Sequence, residues 1–182
     1  MKGEVKYVGK IVKFPVKEIR LQYLPKISPI WLYPGLDPYR MENLHHVTLL
    51  KHIIKHGLDW KKLKKLTYVK ERRHRYDIGM LAWTDSHLRE HIKRRWKTYR
   101  SLKNGWSKKM SKVKPVVLLK KPFIETRYNW ESGFLKGPEC WDGLGRSSAA
   151  FVLGWKEIPV QWAEDAHPGS RQFDKGFNKI KK

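Results

Sequence analysis

The chain has 182 residues, of which 40 are Lys or Arg and 17 are Asp or Glu, so its formal net charge at pH 7 is +23. A surface this basic repels itself unless a polyanion is bound, so the composition favours nucleic acid as the partner, with an anionic membrane as the alternative. The 40% share of hydrophobic residues excludes an intrinsically disordered chain. The single cysteine, Cys140, excludes an internal disulfide and a cysteine-rich zinc site.

We expect one folded domain over residues 1–182, because a chain of this length buries enough apolar surface for a single core. No apolar run reaches the roughly 20 residues that a membrane-spanning helix requires. The amino terminus, Met1-Lys2-Gly3-Glu4, lacks the apolar region of a signal peptide. The sequence therefore predicts a cytoplasmic protein without a membrane span, in the host cytoplasm if it is viral, and it leaves the oligomeric state open.

The amino-terminal part predicts one or two strands over 5–24, a proline-rich loop over 25–38, and a helix over 41–56 that ends at Gly57. The apolar face of this helix consists of Leu44, Val47, Leu50 and Ile54. Its opposite face carries three histidines, His45, His52 and His56. Three interpretations of these histidines stay open, namely solvated side chains, metal ligands and phosphate contacts.

Residues 58–114 are rich in basic residues around aromatic ones, and we predict a basic helical segment there. Its main helix should be capped by Thr84 or Asp85 and end at Gly105. The core face of that helix repeats every three or four residues, at Leu88, Ile92, Trp96, Tyr99 and Leu102. Because few acids interrupt the charge, counterion release on contact with phosphates favours DNA binding. The expected contacts are Arg72, Arg73, Arg75, Arg89, Lys93, Arg94, Lys97 and Arg100. Trp106 is interpreted either as stacking on a base or as packing in the core.

The most informative stretch follows an apolar run over 115–119 that predicts a strand buried on both faces. We expect a strand at Cys140 and Trp141, followed by a turn at Asp142 and Gly143 and a second bend at Gly145. A helix should then begin with Arg146, Ser147 and Ser148 and be capped by Gly154. A strand over 158–162 should follow it. The first turn of a helix offers unpaired amides and the positive end of the helix dipole. Arg146 adds a guanidinium that suits phosphate, so the stretch predicts an anion site.

This stretch resembles the signature of the ParB/sulfiredoxin-like superfamily, D-G-x-x-R-x-x-A-A followed by L-G-x-x-x-I-P-V. The matching residues are Asp142, Gly143, Arg146, Ala149, Ala150, Leu153, Gly154, Ile158, Pro159 and Val160. The resemblance implies an α+β fold, with a small mixed sheet flanked by helices, in which the strand, turn and helix hold a phosphate. It also implies that residues 58–114 are a basic helical insertion between the two halves of that fold. Members include CTP-binding partition proteins, nucleases, a sulfinic-acid reductase and an ADP-dependent amino-acid kinase, so it implies a phosphate site rather than one reaction. Gly145 stands where the reductase has its cysteine nucleophile, which argues against sulfinic-acid repair.

The residues and the resemblance together define the expected site. Its phosphate or nucleotide ligands are Gly143, Leu144, Gly145, Arg146, Ser147, Ser148 and, at the end of the proline-rich loop, Arg40. Asp142 is interpreted either as a turn-forming residue or as a general base or metal-bound carboxylate. Glu125 is a second catalytic candidate, with a plain cross-strand pair to Arg127 as the alternative. The sequence does not decide whether the cofactor is a divalent metal or a nucleotide.

These patterns lead first to a DNA-binding enzyme, of a virus or a mobile element, that cleaves phosphodiesters or transfers a group during DNA base modification. The alternative is a DNA-binding module in which bound CTP, ATP or ADP changes the DNA affinity without chemistry on DNA. A small-molecule kinase is the third interpretation, and it leaves so basic a surface without a purpose. Residues 171–182 are expected to form a flexible basic tail.

Overall fold

The computed structural model describes residues 6–20, 24–25, 40–77, 84–104, 115–120, 130–131 and 138–165. The strands are β1 (Lys6–Pro15), β2 (Leu24–Pro25), β3 (Val116–Leu119), β4 (Trp130–Glu131), β5 (Glu139–Asp142) and β6 (Glu157–Asp165). The helices are α1 (His45–His56), α2 (Trp60–Leu63), α3 (Thr67–Asp77), α4 (Asp85–Lys103) and α5 (Leu144–Val152). The fold is therefore α+β, as expected. No helix in these ranges has the length and apolar character needed to cross a bilayer.

The main sheet has four strands in the order β1-β6-β3-β5. β6 pairs in parallel with β3, while the β1 and β6 pair and the β3 and β5 pair are antiparallel. All four residues of β3 are buried, which confirms the prediction from the apolar run over 115–119. A separate two-stranded pair joins β2 to β4.

The edge strand β1 is irregular. Val8 pairs with Trp162 and Val12 pairs with Val160, so β1 uses more residues than β6 over the same length of ladder. The side-chain amide of Gln161 donates to the carbonyl oxygens of Val8 at 3.1 Å and Gly9 at 2.8 Å. These bonds satisfy backbone acceptors that the bulge removes from the ladder.

Helix α5 carries the chain from β5 to β6, which lie on the two sides of β3. Ala149 and Ala150 are fully buried, and their small size lets α5 pack closely against α1 and α4. The predicted order of strand, turn, helix and strand is confirmed. The helix begins at Leu144, earlier than expected, so Gly145 lies within the helix and makes no second bend.

Helix α1 is buried on two sides, and the prediction of a single core face was wrong. Ile54, expected in the core, is 48% exposed, whereas His45, expected on the polar face, is only 3% exposed. The reason is a second hydrophobic cluster that joins α1 to the helices that follow it: Leu49, Ile53, Leu63, Tyr68, Val69, Leu88 and Ile92. The helix also starts later than predicted, because residues 41–43 form a 3-10 turn and Leu44 is extended. Its end at Gly57 is confirmed.

Helix α4 agrees with its predicted pattern. Thr84 caps it, because its hydroxyl accepts a hydrogen bond from the His87 amide at 3.3 Å. The repeating apolar residues face the interior, with Leu88, Ile92, Tyr99 and Leu102 buried and Trp96 half-buried. The predicted end at Gly105 lies outside the described residues.

Candidate functional site

The turn between β5 and α5 consists of a single residue, Gly143. Its φ of +99° lies in the left-handed region that favours glycine, and it is the residue immediately before the helix. A Cβ at this position would lie 2.8 Å from Nη2 of Arg146 and 3.1 Å from Cα of Val116. The turn therefore requires glycine both for its backbone angle and because β3 passes directly behind it.

The carbonyl oxygen of Gly143 accepts hydrogen bonds from the amides of Arg146 at 2.8 Å and Ser147 at 3.0 Å. Among the described residues, no group accepts a hydrogen bond from the amides of Leu144 or Gly145. The first turn of a helix carries a partial positive charge at such amides. The backbone part of the predicted anion site thus narrows to the two amides that follow Gly143.

Arg146 and Asp142 form an ion pair across the turn. Nη2 of Arg146 donates to Oδ2 of Asp142 at 3.3 Å, with side-chain exposures of 17% for the arginine and 46% for the aspartate. The guanidinium is thus held near the protein surface by a carboxylate that solvent reaches. This arrangement positions Arg146 beside the helix start and keeps the Asp142 carboxylate next to any anion bound there.

The two predicted serine donors point into the protein. Oγ of Ser147 donates to the Gly143 carbonyl at 3.0 Å, and Oγ of Ser148 faces Sδ of Met41 at 4.0 Å. Both serines are fully buried. Their hydroxyl protons serve the turn and the core, so the structure does not bring them to the site as phosphate donors. Leu144, also among the expected ligands, packs its side chain against the main core and offers only its amide.

The structure brings one residue to the turn that the predicted ligand set did not include. The guanidinium of Arg95, from α4, lies on Gly145, where a Cβ would collide with Nη1. Nε of Arg95 is buried and has no hydrogen-bond partner among the residues that the structure describes. Glycine at position 145 therefore makes room for a second guanidinium at the first turn of α5.

Arg95 belongs to a group of basic and aromatic side chains between α1, α3 and α4, which we name the inner basic cluster. Its members are His45, His46, Tyr68, Arg72, His91 and Arg95. Arg72 stacks on the ring of Tyr68, with Cζ 3.8 Å from the ring centroid, and its Nη1 lies 3.2 Å from Nε2 of His45. Because a guanidinium has only donors, Nε2 of His45 accepts, and its proton is on Nδ1. The hydroxyl of Tyr68 shares a 2.6 Å hydrogen bond with Nδ1 of His91.

Two histidines of the cluster, His46 and His91, are held neutral. Burial, followed by the neighbouring His45 and by the charges of Arg95 and Arg72, keeps the pKa of His46 well below its usual value. Burial and the nearby arginines, Arg95 first, lower the pKa of His91 to about 2. Each cause that acts on these two imidazoles disfavours their protonated forms, and no carboxylate is among them.

The predicted DNA contacts on α4 fall on its solvent side. We name four of them the outer basic stripe: Arg89, Lys93, Lys97 and Arg100, all exposed. Their spacing of four, four and three residues places them along one helix face. Arg94 is exposed beside the stripe. Arg89 packs over the ring of Trp60 at 4.7 Å, and Lys93 pairs with Glu90 at 2.9 Å.

Other predicted residues lie elsewhere. Arg72 is only 9% exposed, and its contacts with Tyr68 and His45 remove it from the expected DNA-binding surface, which is a correction. Arg73 lies near the start of α4, where it pairs with Asp85 at 2.6 Å. Arg40 is mostly exposed, 3.8 Å from Glu42, and directly precedes the 3-10 turn that packs against α5. The side chains of Arg75, Trp106 and Glu125 lie outside the described residues.

Among the described residues, no group of three or more His, Cys, Asp or Glu side chains is placed to hold a metal ion. The electrostatics instead favour an anion, because guanidiniums from α4 and α5 meet at the first turn of α5. No family model, curated protein or solved structure matches the chain. Assignment to the ParB/sulfiredoxin-like superfamily therefore rests on the residues from Asp142 to Val160 and remains a proposal.

Proposed function

We propose that this protein binds DNA through the outer basic stripe and holds a phosphate ester at the first turn of α5, in the manner of the ParB/sulfiredoxin-like superfamily. The observation that carries the proposal is the stripe itself. Four exposed cations line one face of a helix whose other side is fixed in the core by Leu88, Ile92 and Tyr99. A rigid row of cations on a chain with a net charge of +23 suits a polyanion.

The dimensions of the stripe support a contact with several phosphates. Arg89 and Arg100 are eleven residues apart, which corresponds to about 16 Å along a helix. Among the described residues, only Lys93 of the stripe has an acidic partner, and both members of that pair are mostly exposed. An exposed pair of this kind contributes about 1 kcal/mol or less, so DNA phosphate can replace Glu90 at little cost.

The test is DNA affinity as a function of salt. We expect replacement of all four stripe residues by Gln to reduce the slope of log K against log salt by roughly 3 to 4, because about 0.9 counterions are released for each phosphate contact. Affinity at 0.15 M salt should fall at least about tenfold. The matched control replaces Lys10, Lys13, Lys17 and Lys51, which are exposed on β1, after β1 and on α1, and removes the same charge.

An equal loss of affinity in both quadruple variants would show that DNA responds only to net charge, and the proposed surface would be withdrawn. A loss confined to the stripe variant supports a defined interface. Circular dichroism of each variant separates a binding effect from unfolding. The stripe residues are exposed, so their replacement by Gln should leave the fold intact.

A second candidate function adds chemistry on DNA, either phosphodiester cleavage or group transfer in base modification. It is favoured by the position of Asp142, whose carboxylate is about half-exposed at the phosphate turn and 3.3 Å from Arg146. A carboxylate there can act as a general base or bind a divalent metal beside the phosphate. We expect Asp142→Asn to abolish turnover of plasmid or modified DNA while leaving DNA affinity within about twofold.

The alternative without chemistry predicts a different result. CTP, ATP or ADP would then raise the melting temperature in proportion to binding, and mass spectrometry would recover both DNA and nucleotide unaltered. Under that outcome Asp142→Asn changes nucleotide affinity only. If neither turnover nor a nucleotide-dependent shift is found, the α5 turn loses its proposed role, while DNA binding by the stripe is judged separately by its salt dependence.

A further inference from the structure

The inner basic cluster contains two buried donor or acceptor atoms that the protein leaves unused. Nδ1 of His46 has no hydrogen-bond partner in the described part of the chain, and the residue is only 4% exposed. Nε of Arg95 is likewise buried and has no partner there. A buried polar group without a partner destabilises the fold, so two in one cluster call for an explanation.

The charge of the cluster points to the chemistry of the missing partner. Arg95 makes no ion pair or hydrogen bond with any described residue, although a nearby anion stabilises a partly buried guanidinium. His46 stacks on His45, with ring centroids 4.4 Å apart, and the charge of Arg95 lowers the pKa of His46. A group that accepts a hydrogen bond from Nε of Arg95 and offsets its charge is an anion, and the same anion can accept from Nδ1 of His46 in the tautomer that is protonated there.

The cluster adjoins the α5 turn. His91 and Arg95 are partly exposed and lie one helical turn apart on α4, while His45, His46 and Tyr68 are buried behind them. The guanidinium of Arg95 also touches Gly145, next to the unused amides of the α5 start. The side chain of Arg95 thus joins the cluster, past its partly exposed residues, to the proposed phosphate turn.

We propose that the inner basic cluster, entered past His91 and Arg95, binds the terminal phosphate of a phosphate monoester. This inference deepens and rests on the proposed phosphate site, because Arg95 belongs to both. A monoester carries about two negative charges at neutral pH, whereas a backbone diester carries one. A diester is also flanked by sugar on both sides, so only a chain end can bring a phosphate to a nitrogen as buried as Nδ1 of His46.

Two sources present this group, a free nucleoside 5′-phosphate and a DNA strand with a 5′-phosphate end. Calorimetry with inorganic phosphate and with a nucleoside 5′-monophosphate measures the first. Competition between 5′-phosphorylated and 5′-hydroxyl oligonucleotides of the same sequence measures the second. Tighter binding of the phosphorylated strand alone would assign the site to a DNA end.

The decisive variants act on Arg95. Arg95→Gln should weaken phosphate binding by about 10- to 100-fold, because a charge-assisted hydrogen bond is lost. Gly145→Ala leaves the net charge unchanged, but its methyl group displaces the guanidinium, and we expect a loss of about tenfold. Lys103→Gln removes the same charge from an exposed site on α4 and should change binding by less than about twofold.

Equal binding by Arg95→Gln and Lys103→Gln overturns the inference, as does the absence of phosphate binding by the unaltered protein at millimolar concentration. Gly145→Ala keeps the test valid if Arg95→Gln does not fold, because alanine is a better helix former than glycine. The quadruple stripe variant distinguishes the two proposals. If it loses DNA but keeps inorganic phosphate, both stand; if the unaltered protein binds phosphate but no DNA, only the DNA-binding function fails.

Discussion

Helix α4 presents basic residues on two sides, and the two sides obey different physics. Arg89, Lys93, Lys97 and Arg100 are exposed. Water screens their charges, so each of them changes the free energy of folding little. On the inner side Arg95 and His91 meet Arg72, Tyr68 and His46, where burial keeps the histidines neutral. The same residue types thus form an exposed basic surface on one side of α4 and a largely buried basic cluster on the other. Position relative to the core, rather than the count of charges, decides which environment each residue has.

The largest expected effect is a pH dependence of the free energy of unfolding, which the inner basic cluster should cause and the outer basic stripe should not. Because the pKa values of His46 and His91 are lowered in the folded protein, these side chains bind protons in the unfolded chain at pH values where they stay neutral in the folded one. Stability is therefore complete above the unfolded pKa of about 6.5 and falls as the pH drops below it, by up to about 1.4 kcal/mol per pH unit for each histidine. Urea unfolding from pH 7.5 to 5 measures this slope.

The matched variants for this pH experiment are a double change, His46→Gln with His91→Gln, and the quadruple stripe variant. The double variant should flatten the slope, because glutamine does not titrate. The stripe variant should keep it. A pH-independent free energy of unfolding in the unaltered protein would contradict the desolvated state of the inner cluster.

A smaller effect is expected from a single hydroxyl group in the inner cluster. Tyr68→Phe removes the 2.6 Å hydrogen bond between the Tyr68 hydroxyl and Nδ1 of His91, at a cost of about 1–3 kcal/mol in unfolding free energy. Tyr7→Phe is the control, because Tyr7 is 54% exposed on the sheet edge and should change stability by less than about 0.5 kcal/mol. Equal effects of the two changes in urea denaturation would remove the distinction between buried and exposed polar groups.

The smallest stability effect is expected on the outer side. Arg89→Gln loses only the contact with the Trp60 ring, about 0.5–1 kcal/mol at an exposed site. The same change should reduce the salt slope of DNA binding by about 0.9, and Arg89→Lys should restore the slope because it restores the charge. Fluorescence anisotropy with labelled DNA gives the slope, and an unchanged slope in Arg89→Gln would exclude Arg89 from the interface.

Local periodicity was enough to predict several elements. The spacing of Leu88, Ile92, Tyr99 and Leu102 predicted α4, because apolar side chains three or four residues apart share a helix face. The continuous apolar run over 115–119 predicted a strand covered on both faces. The order of strand, glycine turn and helix around Gly143 was also correct, since a left-handed residue before a helix almost requires glycine. These elements follow from residues that are near one another in the chain.

The inner basic cluster could not be predicted from local patterns, because it arises where three helices meet. Residues 67–77 show no apolar stripe, so nothing local distinguishes buried Arg72 from exposed neighbours. A helical wheel of α1 places His45 on the polar face. That side of α1 is nevertheless covered by the second hydrophobic cluster, which includes residues of later helices. The inward-facing position of Arg95 could nevertheless have been predicted from the sequence. Arg95 lies seven residues after Leu88 and four before Tyr99, on the apolar face of α4.

The side chain of Gln161 closes the gap that the bulge in β1 opens. An outermost strand with a flat, regular ladder is a template on which a second copy of a protein can add its own strand, and such addition leads to fibrils. Here the departure from regular pairing interrupts that template, although Tyr7 and Ile11 leave apolar surface at the rim. Replacing Gln161 should therefore be seen first as a tendency to self-associate at high salt, where mutual repulsion between the polycationic molecules is screened.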